Sequence, residues 1–186
     1  MEHPNPNTLR PDPHQGEPLL QLSGVHTRIG QYHILQGVDL TMPRGGLSVL
    51  LGRNGAGKTT LLRTIMGLWK ASEGTIRFDG RDITKLATPD IARAIVEPRR
   101  LLLVDEPTKG LAPSIVHSLI AAFRELKERE TTILLVEQNF NFVRSLGDTV
   151  SVMDDGRVAH AGTMAALAAD DALQQRLLGL SLDTHQ

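Results

Sequence analysis

The apolar run Leu47-Ser48-Val49-Leu50-Leu51 stops at Gly52, and nine residues later the chain enters a segment whose Leu61, Leu62, Ile65 and Met66 recur at helical spacing. A buried strand, a glycine-rich turn and an amphipathic helix in that order leave few folds open. The turn, Gly52-Arg53-Asn54-Gly55-Ala56-Gly57-Lys58-Thr59, matches G-x-x-x-x-G-K-[ST]. In such a loop successive backbone N–H groups wrap phosphates, and the following helix N-terminus adds partial positive charge. Gly52, Asn54, Gly55, Ala56, Gly57 and Thr60 are then expected along the phosphates, with Lys58 on the β and γ phosphates and Thr59 on Mg²⁺. From Leu40 to Ser72 the chain carries Arg44, Arg53, Lys58, Arg63 and Lys70 and no acidic residue, which suits a polyanion.

The rest of the chain reads as α/β. Leu19–Leu22 with Val25, and Ile34-Leu35 with Val38–Met42, predict an antiparallel layer turning at Gly30. Thr75–Phe78 before Asp79-Gly80 predicts a hairpin, and Thr88-Pro89-Asp90 starts a short helix. Leu101–Val104 and Ile133–Val136 predict two further buried strands. Between them Ser114 is expected to cap a helix with an apolar stripe of Ile115, Val116, Leu119, Ile120, Phe123 and Leu126. Two such strands around a helix make a right-handed parallel unit, joined by the Leu47 strand. A second hairpin is expected at Asp155-Gly156, followed by one closing helix over 164–178. Five of the ten prolines fall within the first 18 positions, so residues 1–18 are expected as a disordered tail and 181–186 as a short second one.

Composition removes several function classes. Lys and Arg total 20 against 21 Asp and Glu, so the basic excess that drives phosphate-backbone binding is missing, and no nucleic-acid partner is expected. Six aromatics, Tyr32, Trp69, Phe78, Phe123, Phe140 and Phe142, are too few for a base-stacking platform. The absence of cysteine excludes a disulfide scaffold, a thiolate metal site and a cysteine nucleophile. His26, His33, His117 and His160 lack a paired metal spacing and read as ordinary histidines. The uncharged stretch 110–123 holds Pro113, Ser114, His117 and Ser118, so it does not span a membrane.

Asp105 and Glu106 follow a buried strand at its C-terminal end, where ligands sit in open α/β sheets. Asp105 is placed to hold Mg²⁺, and Glu106 to reach a water attacking the γ phosphate, with Pro107 ending the strand. Val104-Asp105-Glu106-Pro107, then Gly110-Leu111-Ala112-Pro113, then Val136-Glu137-Gln138-Asn139 resemble the ATP-binding subunits of ABC transporters, over residues 19–180. The resemblance implies a P-loop NTPase core with a mainly parallel sheet and an antiparallel β layer, taking ATP and Mg²⁺. Gln138 stands where most of the family has His and where the branch serving branched-chain amino acids has Gln. Glutamine cannot accept a proton, so its implied role is positioning the γ phosphate. The resemblance further implies a second ATP-binding subunit and transmembrane permease subunits as partners, at the cytoplasmic face of the plasma membrane. Two such domains sandwich two ATPs, each held by the phosphate loop of one and the signature sequence of the other.

The chain departs from the family twice. Ile29 stands at the family's adenine-stacking aromatic, which leaves stacking to Tyr32, to Arg28 or to no residue. Lys58 and Asp105 are only 47 positions apart, Gln36 is followed by no glutamine before Gln138, and no Leu-Ser-Gly-Gly occurs. The glutamine loop, helical subdomain and signature sequence are therefore expected to be absent, with the shortening between about 91 and 100. An ATP-hydrolysing importer subunit for branched-chain amino acids or a related small polar solute is the leading expectation. A subunit or fragment that binds nucleotide without turnover is the alternative, and a small-molecule kinase ranks last.

Overall fold

The computed structural model describes residues 16–96, 101–129 and 131–179. The tails expected over 1–18 and 181–186 lie outside the described residues, 16–18 excepted.

β1 (Leu20–Ile29) and β2 (Tyr32–Met42) pair antiparallel across Gly30-Gln31. β3 (Leu47–Gly52) leads to α1 (Lys58–Ile65). β4 (Ala71–Phe78) then pairs with β1 on one side and the two-residue β5 (Arg81–Asp82) on the other. Asp79 and Gly80 have φ of 51° and 72°, the two positive values that a hairpin turn matched to strand twist requires. The antiparallel layer thus runs β2-β1-β4-β5.

After α2 (Thr88–Val96) come β6 (Leu102–Asp105), α3 (Pro113–Glu128), β7 (Ile133–Glu137), α4 (Phe140–Val143), β8 (Thr149–Asp154), β9 (Arg157–Thr163), α5 (Met164–Ala169) and α6 (Asp171–Leu178). The second sheet runs β6-β7-β3-β8-β9, parallel except for the closing β8–β9 hairpin. Every residue of β3 and β7 is buried, as strands covered on both faces must be. Alternation divides β3 between two cores. Leu50 joins Leu22, Val25, Leu61 and Ile65 beneath the antiparallel layer. Leu47, Val49 and Leu51 face Phe123, Phe142 and Val143 on the helical side. Only residues 97–101 separate α2 from β6, which leaves no room for a helical subdomain. β6 is the sheet's edge, and its Leu102 is 37% exposed.

Three local expectations are corrected. Ala112, not Ser114, is the N-cap of α3, because Pro113 occupies the first helical position, where its fixed φ and missing N–H cost nothing. Along that helix Phe123 is buried, Val116, Leu119, Ile120 and Leu126 are partly buried against the core, and Ile115 is exposed. The single closing helix is two, because the Asp170 side chain accepts from Leu173 N–H at 2.9 Å and restarts the chain as α6.

Gly156 ties three segments together. Its N–H donates to the Ala56 carbonyl at 3.1 Å and its carbonyl accepts from Gln36 N–H at 2.9 Å. It has φ 73°, and a Cβ there would lie 2.1 Å from the Ile34 carbonyl oxygen. Gly156→Ala is therefore expected to lower stability by about 1–3 kcal/mol, read as a reduced urea midpoint; an unchanged midpoint would show that the turn is not a fixed support.

Candidate functional site

The phosphate loop lies between β3 and α1, held by close packing at its two ends. A Cβ on Gly52 would lie 2.6 Å from the Met153 carbonyl oxygen of β8. Gly57 is the N-cap of α1 with φ 99° and no side-chain cap, so the first-turn N–H groups of α1 have no intrahelical acceptor. Gly55, also at positive φ (83°), lets the loop curl toward them.

Lys58 is 4% exposed. Its Nζ donates to the carbonyls of Gly52 at 2.9 Å and Arg53 at 3.1 Å, and lies 3.5 Å from Glu106 Oε1. An ammonium has three protons, so without nucleotide this buried cation is satisfied by its own loop and one carboxylate. Glu106 has φ 44°, a costly value for a residue with a Cβ. Its N–H donates to the Val136 carbonyl at 2.9 Å, and Lys109 Nζ stands 3.4 Å from its Oε2. Glu106 thus sits between two cations. Asp105 Oδ2 accepts from Thr59 Oγ1 at 3.0 Å.

These groups open on a cleft of about 380 Å³, walled by Asn54, Gly55, Gly57, Lys58, Thr59, Thr60, Glu106 and Lys109, with Ile34 as its apolar side. A larger hollow of about 510 Å³ lies on the antiparallel layer between Gln21, Arg77 and Arg81, away from the phosphate loop. Chemistry rather than size selects the cleft: cations, a helix N-terminus and hard oxygens converge only on the smaller of the two. Thr59 and Asp105 offer the oxygen donors that Mg²⁺ takes beside substrate phosphates. No group of three or more metal-capable His, Asp or Glu exists among the described residues.

The remaining expected site residues lie elsewhere. Ala56 is buried, its carbonyl accepting from Gly156. Ile29 does not wall the cleft; Ile34, on the neighbouring strand, does. Gln138 is exposed, also outside the cleft wall, and its side chain makes no hydrogen bond among the described residues. Lys109 and Ile34 were not singled out by the sequence. The signal for Lys109 was its place three residues after Glu106; Ile34 gave none, because its aim depends on register shifts in the β1–β2 pairing. The structure also pairs His26 with His33, Nδ1 to Nε2 at 2.9 Å, which spacing along the chain did not reveal.

A family model described as ABC transporter matches residues 35–90. The high-affinity branched-chain amino acid transport ATP-binding protein BraG of Pseudomonas aeruginosa is 25% identical over 87% of this chain and 100% of its own length. The methionine import ATP-binding protein MetN of Rhizobium johnstonii is 26% identical over 83% of this chain, which spans 63% of MetN. The alignment with BraG takes 232 positions, whereas 87% of 186 residues is about 162, so about 70 residues of the relative have no counterpart here. Among solved structures, an ATP-binding cassette of an ABC transporter in its ADP conformation superposes with a TM-score of 0.73 at 19% identity, covering 88% of this chain and 99% of the other. The cbiO1 protein of Clostridium perfringens, part of the ABC transporter complex cbiONQ, gives 0.71 at 21% identity, covering 89% and 96%.

Proposed function

We propose that this chain, which is similar to the ATP-binding proteins of ABC transporters and shares their fold, is the ATP-binding, ATP-hydrolysing subunit of an importer for branched-chain amino acids or a related small polar solute. The observation that carries this is the convergence of Lys58, Thr59 and Glu106 on one cleft at the N-terminus of α1, with Asp105 hydrogen-bonded to Thr59.

Binding of the polyphosphate draws Lys58 Nζ from the Gly52 and Arg53 carbonyls to the terminal phosphates, while the first N–H groups of α1 cradle them. Thr59 and Asp105 would hold Mg²⁺, which when bound would supply positive charge against the phosphates. Releasing Lys58 also frees one oxygen of Glu106 to accept the proton of an attacking water, and Gln138 orients the γ phosphate by hydrogen bonding. Residues 19–180 form the nucleotide-binding unit, shortened between about 91 and 100. Its partners are a second ATP-binding subunit and transmembrane permease subunits at the cytoplasmic face of the plasma membrane. No described helix is long and apolar enough to cross a membrane. The short 97–101 connection favours one second reading, nucleotide binding without turnover.

The test is a thermal shift with Mg²⁺ and nucleotide. Saturating ATP is expected to raise the melting temperature by several degrees, since ligand at 100 times its Kd adds about 2.7 kcal/mol; no shift overturns both readings. The same titration tests the base. Stacking on an aromatic is worth about 1–3 kcal/mol per base, and the described cleft wall offers Ile34 instead. ATP and GTP are therefore expected within about fivefold of each other, with Ile34→Ala weakening both alike; a tenfold preference for ATP would show a base-reading residue outside that wall.

A further inference from the structure

Glu137 is a charged residue that the proposed chemistry does not use, and it is 1% exposed. It ends β7 beside Leu51, the last residue before the phosphate loop. Its Oε1 accepts from the N–H of Thr108 at 3.1 Å and from the Thr108 hydroxyl at 2.6 Å. Its Oε2 accepts from the N–H groups of Gln138 at 3.0 Å and Asn139 at 3.2 Å. A buried carboxylate is tolerated where donors satisfy it, and here four neutral donors do so from two separate loops. One loop carries Glu106 and Lys109, which its own Lys109 N–H to Glu106 carbonyl bond closes into a turn. The other carries Gln138 and continues through Asn139, whose Oδ1 caps α4 by accepting from Phe142 N–H at 3.2 Å.

The geometry points to Glu137 as a positioning residue that clamps the Glu106–Lys109 loop to the Gln138–Asn139 segment, so that the placement of Glu106 in the cleft depends on a side chain that never touches nucleotide. The strained φ of Glu106 gives the clamp its purpose: a backbone held at 44° relaxes unless its surroundings over-determine it. A glutamine substitutes poorly. Its single carbonyl oxygen serves one pair of donors, and its NH₂ then meets either two N–H groups or the Thr108 N–H, where only the Thr108 hydroxyl can turn to accept. The inference rests on the ATPase reading for its kinetic consequence and on geometry alone for the clamp.

The two parts are tested separately. In the nucleotide-free chain, amide hydrogen exchange in Glu137→Gln is expected to quicken at least tenfold at Thr108 and at Gln138 and Asn139 together. Thr108→Val, which removes only the hydroxyl, is expected to quicken the same amides on both loops about threefold and to remain folded if Glu137→Gln does not. In steady-state assays of the chain mixed with an intact ATP-binding relative, where its site is the competent one, both variants are expected to lower kcat, Glu137→Gln at least tenfold, with KM for ATP within threefold of wild type; a purely structural role would instead lower kcat only as far as the folded fraction falls. Quickened exchange confined to one loop, or kcat within twofold of wild type for folded Glu137→Gln, overturns the proposal. Equal ATP affinity of wild type and Lys58→Ala overturns the ATPase reading and leaves the exchange result to decide the clamp.

Discussion

Replacing Lys58 by alanine is expected to weaken MgATP binding by a factor of about 10²–10³. Hydrogen bonds to charged groups contribute about 1.5–3 kcal/mol each, and Lys58 is the buried cation of the cleft, with Lys109 standing 73% exposed at its mouth. In the proposed binding mode Lys58 gives up its bonds to the Gly52 and Arg53 carbonyls, so the net gain is the difference between phosphate and carbonyl as acceptor. That difference favours the doubly charged terminal phosphate. Calorimetric titration measures it, with Lys58→Met as the variant that keeps the stem volume. Affinity within threefold of wild type for both variants would place the phosphates elsewhere. Removing Lys58 also leaves Glu106 paired with Lys109 alone, so the nucleotide-free melting temperature is measured beside the affinity.

The purified chain is expected to hydrolyse ATP at least a thousandfold more slowly than an intact relative. Losing a single preorganised donor to developing charge costs about 10²–10³ in rate, and the stretch between α2 and β6 is too short to hold a signature segment. A homodimer would present two phosphate loops and no signature to either. Mixed with an intact partner, this chain's cleft is completed by that partner while the partner's is not completed in return. The mixed dimer is expected to keep one competent site, and Glu106→Gln in this chain to abolish its contribution. Measured turnover by the chain alone at an intact subunit's rate would show that other donors replace the missing segment.

Much of this was legible before any coordinates. The order strand, glycine loop, helix was readable because runs such as Leu47–Leu51 and Ile133–Val136, apolar but for Ser48, belong to strands covered on both faces. Asp79-Gly80 and Asp155-Gly156 announced their hairpins through the positive φ that such turns demand. What failed to show was whatever depends on side-chain reach across elements. Ile34 walls the cleft only because β1 and β2 slip in register, Lys109 meets Glu106 because of a local turn, and Glu137 finds Thr108 29 residues away along the chain. The helix boundaries that moved did so for local reasons, Pro113 outranking Ser114 and Asp170 interrupting an otherwise continuous apolar pattern.

The position of β3 between β7 and β8 has a consequence in time. The Ser48 and Thr149 hydroxyls bond at 2.8 Å although 101 residues separate them along the chain. At a synthesis rate of about 5–20 residues per second, the completed phosphate-loop motif waits roughly 5–20 s on the ribosome before its second flanking strand exists. During that interval β3 has no parallel neighbour until residues 133–137 are made and then only β7 on one side, so a nascent chain halted before residue 149 carries the whole motif in an unfinished sheet. The sheet that flanks the phosphate loop is thus completed late, only when β8 (Thr149–Asp154) has been made.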